Sequence, residues 1–202
     1  MRAVRILGLA LVLPAASAAP ILAQEASNVV RAGVQYTFVS GTSSYDVSGD
    51  DVNIEVDDAV GFYLAYEWRS KLLGVELNAG YSKHDGTSSY SYELPGKSSI
   101  TASGSGSFTM YPINLALNFH VFGRSWVDLY LGPVVGYYIL SDELDSTWGY
   151  GAQLGADWNV SDKGVAINTV VRYQWVSSDI SGLGESLDLN PLTGQLGLAY
   201  RW

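Results

Sequence analysis

The stretch that decides the fold is Gln195-Leu196-Gly197-Leu198-Ala199-Tyr200-Arg201-Trp202, at the C-terminal end of the sequence. From Leu196 onward every second residue is large and apolar, and the residues between are polar or small. A period of two is that of a β-strand with two different faces. A strand in a membrane barrel needs this layout, because one face meets lipid and the other meets the lumen. We therefore predict that this strand closes a barrel against the first strand.

Seven earlier segments share this alternation. The fold class predicted from them is all-β, an eight-stranded antiparallel transmembrane β-barrel of the up-and-down type. The predicted strands cover residues 29–39, 60–69, 73–82, 110–121, 126–140, 148–160, 165–176 and 191–202.

The connections between these strands alternate in length. Three are short turns, and the four long ones cover residues 40–59, 83–107, 141–147 and 177–190. Short turns lie on the periplasmic side of outer-membrane barrels, so both ends of the barrel are expected in the periplasm. The long loops are rich in Ser, Gly and Asp, and no regular structure is predicted for them. Pro133 cannot donate to a strand ladder, and we interpret it as a local bulge.

The N-terminus is typical of a secretory signal peptide. Two arginines precede the apolar run Ile6–Leu13, which is too short to span a bilayer, and small residues follow it. Cleavage after Ala18 or after Ala23 fits, and the later site is favoured. The sequence thus predicts a signal peptide over residues 1–23 and a barrel domain over residues 24–202. Export by the Sec pathway to the outer membrane of a Gram-negative bacterium is expected.

Composition narrows the function classes. The chain has no cysteine, so no disulfide holds the exported fold. Its net charge of −9 becomes −11 once the two arginines of the signal peptide are removed, which argues against nucleic acid as a partner. No zinc-finger spacing, P-loop or dinucleotide motif is present, so neither a cofactor nor a metal site is predicted.

A secreted soluble barrel of the lipocalin type is the alternative fold, and in it the apolar face would point inward. The interior of an eight-stranded barrel is narrow, and the large aromatic residues of this face would overfill it. These aromatic residues also gather near the two strand ends, as at the two interfaces of a bilayer. The predicted periplasmic belt is Trp68, Phe119, Trp126, Trp158, Tyr200 and Trp202. The predicted extracellular belt is Phe38, Tyr81, Tyr111, Tyr137, Trp148 and Trp175.

The opposite face carries charged residues at mid-strand positions. Acidic and basic side chains are nearly balanced, which predicts an ion-pair network that closes the lumen, with a gated ion path as the alternative. The predicted network is Arg31, Glu67, Arg69, Glu76, His120, Asp128, Asp157, Arg172 and Arg201. Milder residues nearer the long loops are predicted to line a shallow vestibule. They are Tyr63, Val134, Tyr138, Val170 and Val176.

Several stretches resemble the small outer-membrane barrels, namely the OmpA/OmpX/OmpW-like and opacity-type proteins. The stretches are Tyr111-Pro112-Ile113-Asn114-Leu115, Leu129–Gly136, Gly151–Trp158, Val171-Arg172-Tyr173 and the C-terminal strand. In that strand, Gln195, Gly197, Tyr200 and Trp202 look like the signal that the outer-membrane assembly machinery reads. The glycine-rich fifth strand and Asn190-Pro191 are similar to OmpW. That resemblance implies a passive conduit for small hydrophobic molecules.

Two principal functions follow, a structural or surface-interaction barrel and the conduit. Outer-membrane lipid and lipopolysaccharide are the expected partners. Loop carboxylates are suited to bridging lipopolysaccharide phosphates through divalent cations. They are Asp46, Asp50, Asp51, Glu55, Asp57, Asp58, Asp142, Glu143 and Asp145. A lipid-modifying enzyme is a third class, for which His84-Asp85 with Ser88 and Ser89 is the candidate site, on a stretch expected to be flexible. We predict no catalytic residue.

Overall fold

The computed structural model describes residues 27–39, 42–47, 50–92, 100–121, 126–141, 144–179 and 186–202. The predicted signal peptide lies outside these residues and stays a prediction. Within the described ranges, no helix has both the length and the apolar character needed to cross a membrane.

Eleven strands are described, and eight of them close a barrel. The strands are β1 (Ser27–Phe38), β2 (Thr42–Val47), β3 (Asp50–Val56), β4 (Ala59–Arg69), β5 (Leu73–Tyr92), β6 (Ile100–His120), β7 (Val127–Leu140), β8 (Thr147–Asn159), β9 (Val165–Asp179), β10 (Ser186–Asp188) and β11 (Leu192–Arg201). The barrel order is β1-β4-β5-β6-β7-β8-β9-β11, with every pair antiparallel and β11 returning to β1. The predicted fold class is therefore confirmed.

The strand register fixes the tilt of the barrel. A path that follows paired residues once around the wall starts on β9 at Val165 and returns to β9 at Trp175, a displacement of ten residues. The path passes through Val165, Tyr200, Val30, Tyr66, Leu77, Leu115, Val135, Tyr150 and Trp175. Such a stagger tilts the strands against the barrel axis and sets a narrow interior.

The long loops are more regular than the sequence predicted. β5 and β6 continue to Tyr92 and from Ile100 as a paired hairpin, β2 and β3 form a second hairpin against β5, and β10 pairs with β9. The expectation of structureless loops is therefore wrong here. Runs of Ser, Thr and Gly carry no apolar alternation, so a pattern based on hydrophobicity cannot detect strands that are held by backbone hydrogen bonds alone.

The bulge expected at Pro133 is also wrong. In the β6–β7 ladder, Phe119 opposes Leu131 and Ala116 opposes Val134, so the register is the same on both sides of the proline. Pro133 itself opposes Ala152 of β8. The strand therefore contains no extra residue. The missing N–H of proline leaves a local gap in the β6–β7 ladder.

The two faces of the wall differ as expected. Apolar side chains point outward along all eight barrel strands, while the buried side chains of the interior are mostly polar or charged. All twelve predicted belt residues lie on the outer surface. At the short-turn end, called periplasmic as predicted, Trp126 packs on Trp158 with ring centroids 5.5 Å apart. At the long-loop end, called extracellular as predicted, Tyr137 packs on Trp148 at 5.0 Å. An apolar band between two aromatic girdles is the surface that a bilayer requires.

Candidate functional site: the closed lumen

Arg31 lies at the centre of the periplasmic half of the lumen. Its guanidinium contacts Glu67 Oε2 at 2.7 Å, Asp157 Oδ2 at 2.7 Å and Glu76 Oε2 at 3.2 Å, and all four side chains are buried. The Arg31 Cζ also lies 5.0 Å from the centroid of the Tyr130 ring, within cation–π range. One cation of β1 therefore holds carboxylates from β4, β5 and β8 together.

A second group surrounds Asp128 on the periplasmic side of Arg31. Asp128 accepts hydrogen bonds from Arg69 and, at 3.1 Å, from Arg201 Nη2. His120 lies between two carboxylates, with Nδ1 3.2 Å from Asp128 Oδ1 and Nε2 2.8 Å from Glu67 Oε1. A protonated imidazole ring satisfies both contacts, because it donates from both nitrogens. His120 thus links this group to the carboxylates around Arg31.

Arg172 extends the network toward the extracellular side. Its Nη2 lies 3.2 Å from Glu76 Oε1, its Nη1 3.1 Å from Asn78 Oδ1, and its Nε 2.9 Å from Gln153 Oε1. Since Glu76 also binds Arg31, all nine charged residues singled out in the sequence join one network.

Four guanidinium groups face four carboxylates in this network, with His120 in addition. Buried charges are costly unless they are paired and hydrogen-bonded, and this balance meets that demand. The interior is filled along the periplasmic half by these paired side chains. A buried salt-bridge network therefore closes the lumen.

Neutral amides complete the network, and the sequence reading missed them. Asn118 donates to Glu67 at 3.2 Å, Gln153 donates to Asn118 at 2.8 Å, and Asn168 donates to Asp157 at 2.8 Å. Their signal was available, because each occupies an inward position of the same two-residue alternation that placed the charges. Amides stay neutral, so a search for charged residues alone passes over them.

The residues predicted to line a vestibule are all buried and face the interior. Tyr63 donates to Asn168 Oδ1 at 2.9 Å and so belongs to the polar network. Tyr138 donates to Gln174 Oε1 at 2.7 Å, and its ring packs with Val176 in an apolar cluster near the long loops. The other two residues, Val134 and Val170, are buried as well. A vestibule lined by these residues stays a prediction.

The apolar cluster closes the extracellular end, and we name it the mouth cluster. It consists of Val39, Val56, Phe108, Met110, Tyr138, Leu140, Val176, Leu187 and Leu189, with Leu144 packed against it. Leu189 has no exposed surface, and its N–H donates to Val176 O at 2.9 Å. Asn190 has a positive φ of 37° and accepts from Val176 N at 3.1 Å. The segment 186–190 is thereby held over the barrel mouth.

The candidate enzyme site is not assembled. His84 is buried on β5, where its ring lies 2.9 Å from Ser82 Oγ and 2.9 Å from Asp57 O and stacks on Phe108. Asp85 follows on the opposite face of the strand and is exposed. The expected flexibility is wrong, since β5 and β6 support this position as a regular ladder. Ser88 is exposed and Ser89 is partly buried.

Burial lowers the pKa of His84 from its ordinary value of 6.5, opposed by the hydrogen bond to Asp57 O and by the charges of Asp58 and Asp85. His84 lies beyond the extracellular belt, and we expect its ring to titrate below pH 6.5 in the folded protein. The folded protein favours the neutral ring, so the contribution of His84 to the free energy of unfolding falls as the pH drops below 6.5. NMR titration of the ring measures this, with the urea-unfolded chain as control. A folded midpoint at or above the unfolded one would contradict it.

The loop carboxylates are only partly described. The side chains of Asp46, Asp50 and Asp51, and the residues Asp142 and Glu143, lie outside what the structure describes. Glu55, Asp57, Asp58 and Asp145 are exposed. No group of three metal-ligating residues occurs among the described side chains. Cation bridging to lipopolysaccharide stays a prediction.

The C-terminal strand has the expected two faces. Gln195 is buried and donates to Gln35 Oε1 at 3.2 Å, and Gly197 opposes Gly33 of β1. Tyr200 and Trp202 stack on the outer surface with ring centroids 5.8 Å apart. Recognition of these residues by the assembly machinery stays a prediction.

The closed eight-stranded wall, its apolar outer band and its ion-paired interior define a small outer-membrane β-barrel. The family described as "Outer membrane protein beta-barrel domain" matches residues 8–201, and the chain belongs to that family. No curated protein matches the chain.

Solved structures that are similar to the chain include a surface protein and a protein studied in lipid bilayers. Neisserial surface protein A (NspA) shares 18% identity at a TM-score of 0.55, covering 88% of this chain and 98% of its own. The outer-membrane protein AlkL, solved in lipid bilayers, shares 19% identity at a TM-score of 0.59, covering 89% and 91%. At this identity both show the fold alone, so the likeness to OmpW stays a prediction.

Proposed function

We propose that this protein is a closed outer-membrane anchor that presents a polar β-sheet at the cell surface. The observation that carries the proposal is the length of β5 and β6. Their pairing with the barrel neighbours β4 and β7 ends near Ser82 and Met110, but the two strands stay paired to each other as far as Tyr92 and Ile100. With β2 and β3 they form a four-stranded sheet beyond the extracellular belt.

The closed lumen supports the same function. Ion pairs fill the periplasmic half, and the mouth cluster fills the extracellular end. A solute crossing the lumen would have to displace both layers. The barrel therefore serves as a scaffold for its surface sheet, and surface interaction is the role that remains for that sheet.

Single-cysteine labelling tests the topology, since the chain has no cysteine of its own. Ser105→Cys lies on the upper sheet and is expected to react with a membrane-impermeant maleimide on intact cells. Ser161→Cys, in a short turn at the other end of the barrel, is the matched control and is expected to react only after the outer membrane is permeabilised. In planar bilayers the wild-type protein is expected to conduct no ions. Labelling of both variants on intact cells, or a steady open conductance, would remove the proposal.

A conduit for small hydrophobic molecules is the second candidate. The mouth cluster favours it, because this layer is apolar while the interior beneath it is polar. An apolar solute that replaced Leu187 and Leu189 would be accommodated there and would then have to leave through the wall, since Arg172 and its partners lie below. Alkane uptake by cells with and without the protein separates the two candidates. If uptake is equal with and without the protein, the conduit is excluded and only the anchor function remains.

A further inference from the structure

The upper part of β6 has a neighbour on one side only. β5 pairs with it as far as Ile100, whereas the ladder with β7 ends at Met110 and Leu140. One residue beyond, Ser141 N donates to Thr109 O at 3.0 Å and Thr109 N donates to Ser141 Oγ at 2.8 Å. Both backbone polar groups of Thr109 therefore point toward the β7 side.

Backbone groups alternate along a strand, so the same direction applies to every second residue beyond Thr109. The N–H and C=O groups of Thr101, Ser103, Ser105 and Ser107 all point to the side that β7 has left. Within the described ranges no strand pairs with them. This free edge, from Thr101 to Ser107, offers four donors and four acceptors in a straight row.

The free edge lacks the features that usually protect an edge strand. Natural proteins guard such edges with charged side chains, proline or a bulge. The segment Ile100–Thr109 contains no charged residue and no proline, and its register against β5 is unbroken from Ile100 to Thr109. At the other edge of the sheet, β2 carries Asp46. An unguarded edge at the cell surface is suited to strand addition by another chain.

Charge indicates the kind of chain that fits. The four long connections contain fourteen acidic residues and two lysines, a net charge of −12. Asp145 and Asp179 lie together at the same end of the barrel as this sheet, where Asp145 N donates to Asp179 O at 3.0 Å and Ser178 Oγ donates to Asp145 O at 2.7 Å. A basic segment would be attracted to this surface and an acidic one repelled.

We propose that the free edge of β6 binds an extended, basic polypeptide segment of another protein as an added strand. The inference rests on the proposed surface function and names its partner by chemistry. From Ser103 to Ser107 the edge alternates Ser with Gly, so its side chains are small or absent, and a Cβ on Gly106 would meet nothing within 4 Å. Side chains of the added strand therefore meet no obstruction, and backbone pairing with charge selects the partner.

Fluorescence anisotropy of the protein in detergent micelles tests this, with a labelled peptide of alternating Lys and Thr, about eight residues long to match the edge. Ser105→Pro removes one outward N–H, and its ring faces away from β5, so the sheet is kept. We expect about tenfold weaker binding, the effect of about one lost hydrogen bond. Ser105→Ala keeps the N–H and is expected to bind as wild type does. Equal binding by the proline and alanine variants overturns the proposal.

A second measurement uses the wild-type protein and does not depend on the folding of a variant. Two versions of the peptide are compared: one is N-methylated on alternate residues, which leaves one full edge of N–H groups, and the other is N-methylated on every residue. Strand addition requires that the first version binds and the second does not, whereas equal binding of both overturns it. An acidic peptide of Glu and Thr is expected not to bind. If Ser105→Cys is labelled on cells and the lumen is silent but the basic peptide fails, strand addition is overturned and the anchor function stands.

Discussion

Replacing Arg31 with methionine is expected to lower the free energy of unfolding by about 3–5 kcal/mol, the usual cost of leaving buried charges without their partner. Three carboxylates, those of Glu67, Glu76 and Asp157, contact this guanidinium, and none of them is reached by bulk water. Methionine fills a similar volume, so lost charge and not lost packing dominates. Urea unfolding in lipid vesicles, followed by tryptophan fluorescence, measures the change.

The matched control is Lys163→Met, which removes an exposed cation from a short turn. It is expected to change the free energy of unfolding by less than about 0.5 kcal/mol. Adding Glu67→Gln to Arg31→Met removes one of the stranded charges and is expected to recover part of the loss. If Arg31→Met unfolds at the same urea concentration as Lys163→Met, the network does not stabilise the barrel.

Gly155→Ala is expected to destabilise the barrel by about 1–3 kcal/mol, the range for overpacking a filled interior. A Cβ on Gly155 would overlap the ring of Tyr130, which lies across this glycine. The ring cannot easily move, because Arg31 lies against its face and Asn168 Nδ2 donates to its hydroxyl at 3.0 Å. The same urea experiment measures the effect.

Gly194→Ala provides the control for this substitution. Gly194 lies on β11 and points to the outer surface, where a Cβ would meet nothing within 4 Å. There the added methyl only restricts the unfolded chain, so the change in stability is expected to be small or slightly favourable. Equal losses for the two variants would mean that a weakened strand, and not the contact with Tyr130, explains the result.

Much of the barrel could be predicted because contact with lipid requires an apolar side chain at every second position of a wall strand. Where one face of a strand meets hydrocarbon, the side chains must alternate, so all eight wall strands and both belts are visible in the sequence. The same alternation placed the charged residues inside. It did not show that Arg31 would hold Asp157, since that contact joins residues 126 positions apart in the chain and depends on the register of strands that hydropathy does not set.

The predictions that were wrong concern the regions beyond the lipid. Outside the bilayer a strand needs no apolar face, so the upper parts of β5 and β6 carry no alternation and were taken for loops. His84 was predicted to lie on a flexible stretch for the same reason. The strands that hold it are paired through a ladder rich in Ser and Gly. Pro133 was taken for a bulge because the pattern alone does not show how easily a ladder accommodates one missing donor.

Hydrophobic alternation cannot distinguish the correct pairing of two strands from one that is shifted by two residues. A two-residue slip of β11 along β1 would keep each apolar side chain in lipid and each polar one inside. The same slip would shift the strands around the wall that bring Arg31 to Asp157 and Arg201 to Asp128. Buried charges would then be left without partners inside the barrel. The buried ion pairs therefore select the correct register when the barrel closes. They disfavour shifts by an even number of residues, which the lipid contact of the apolar face does not penalise.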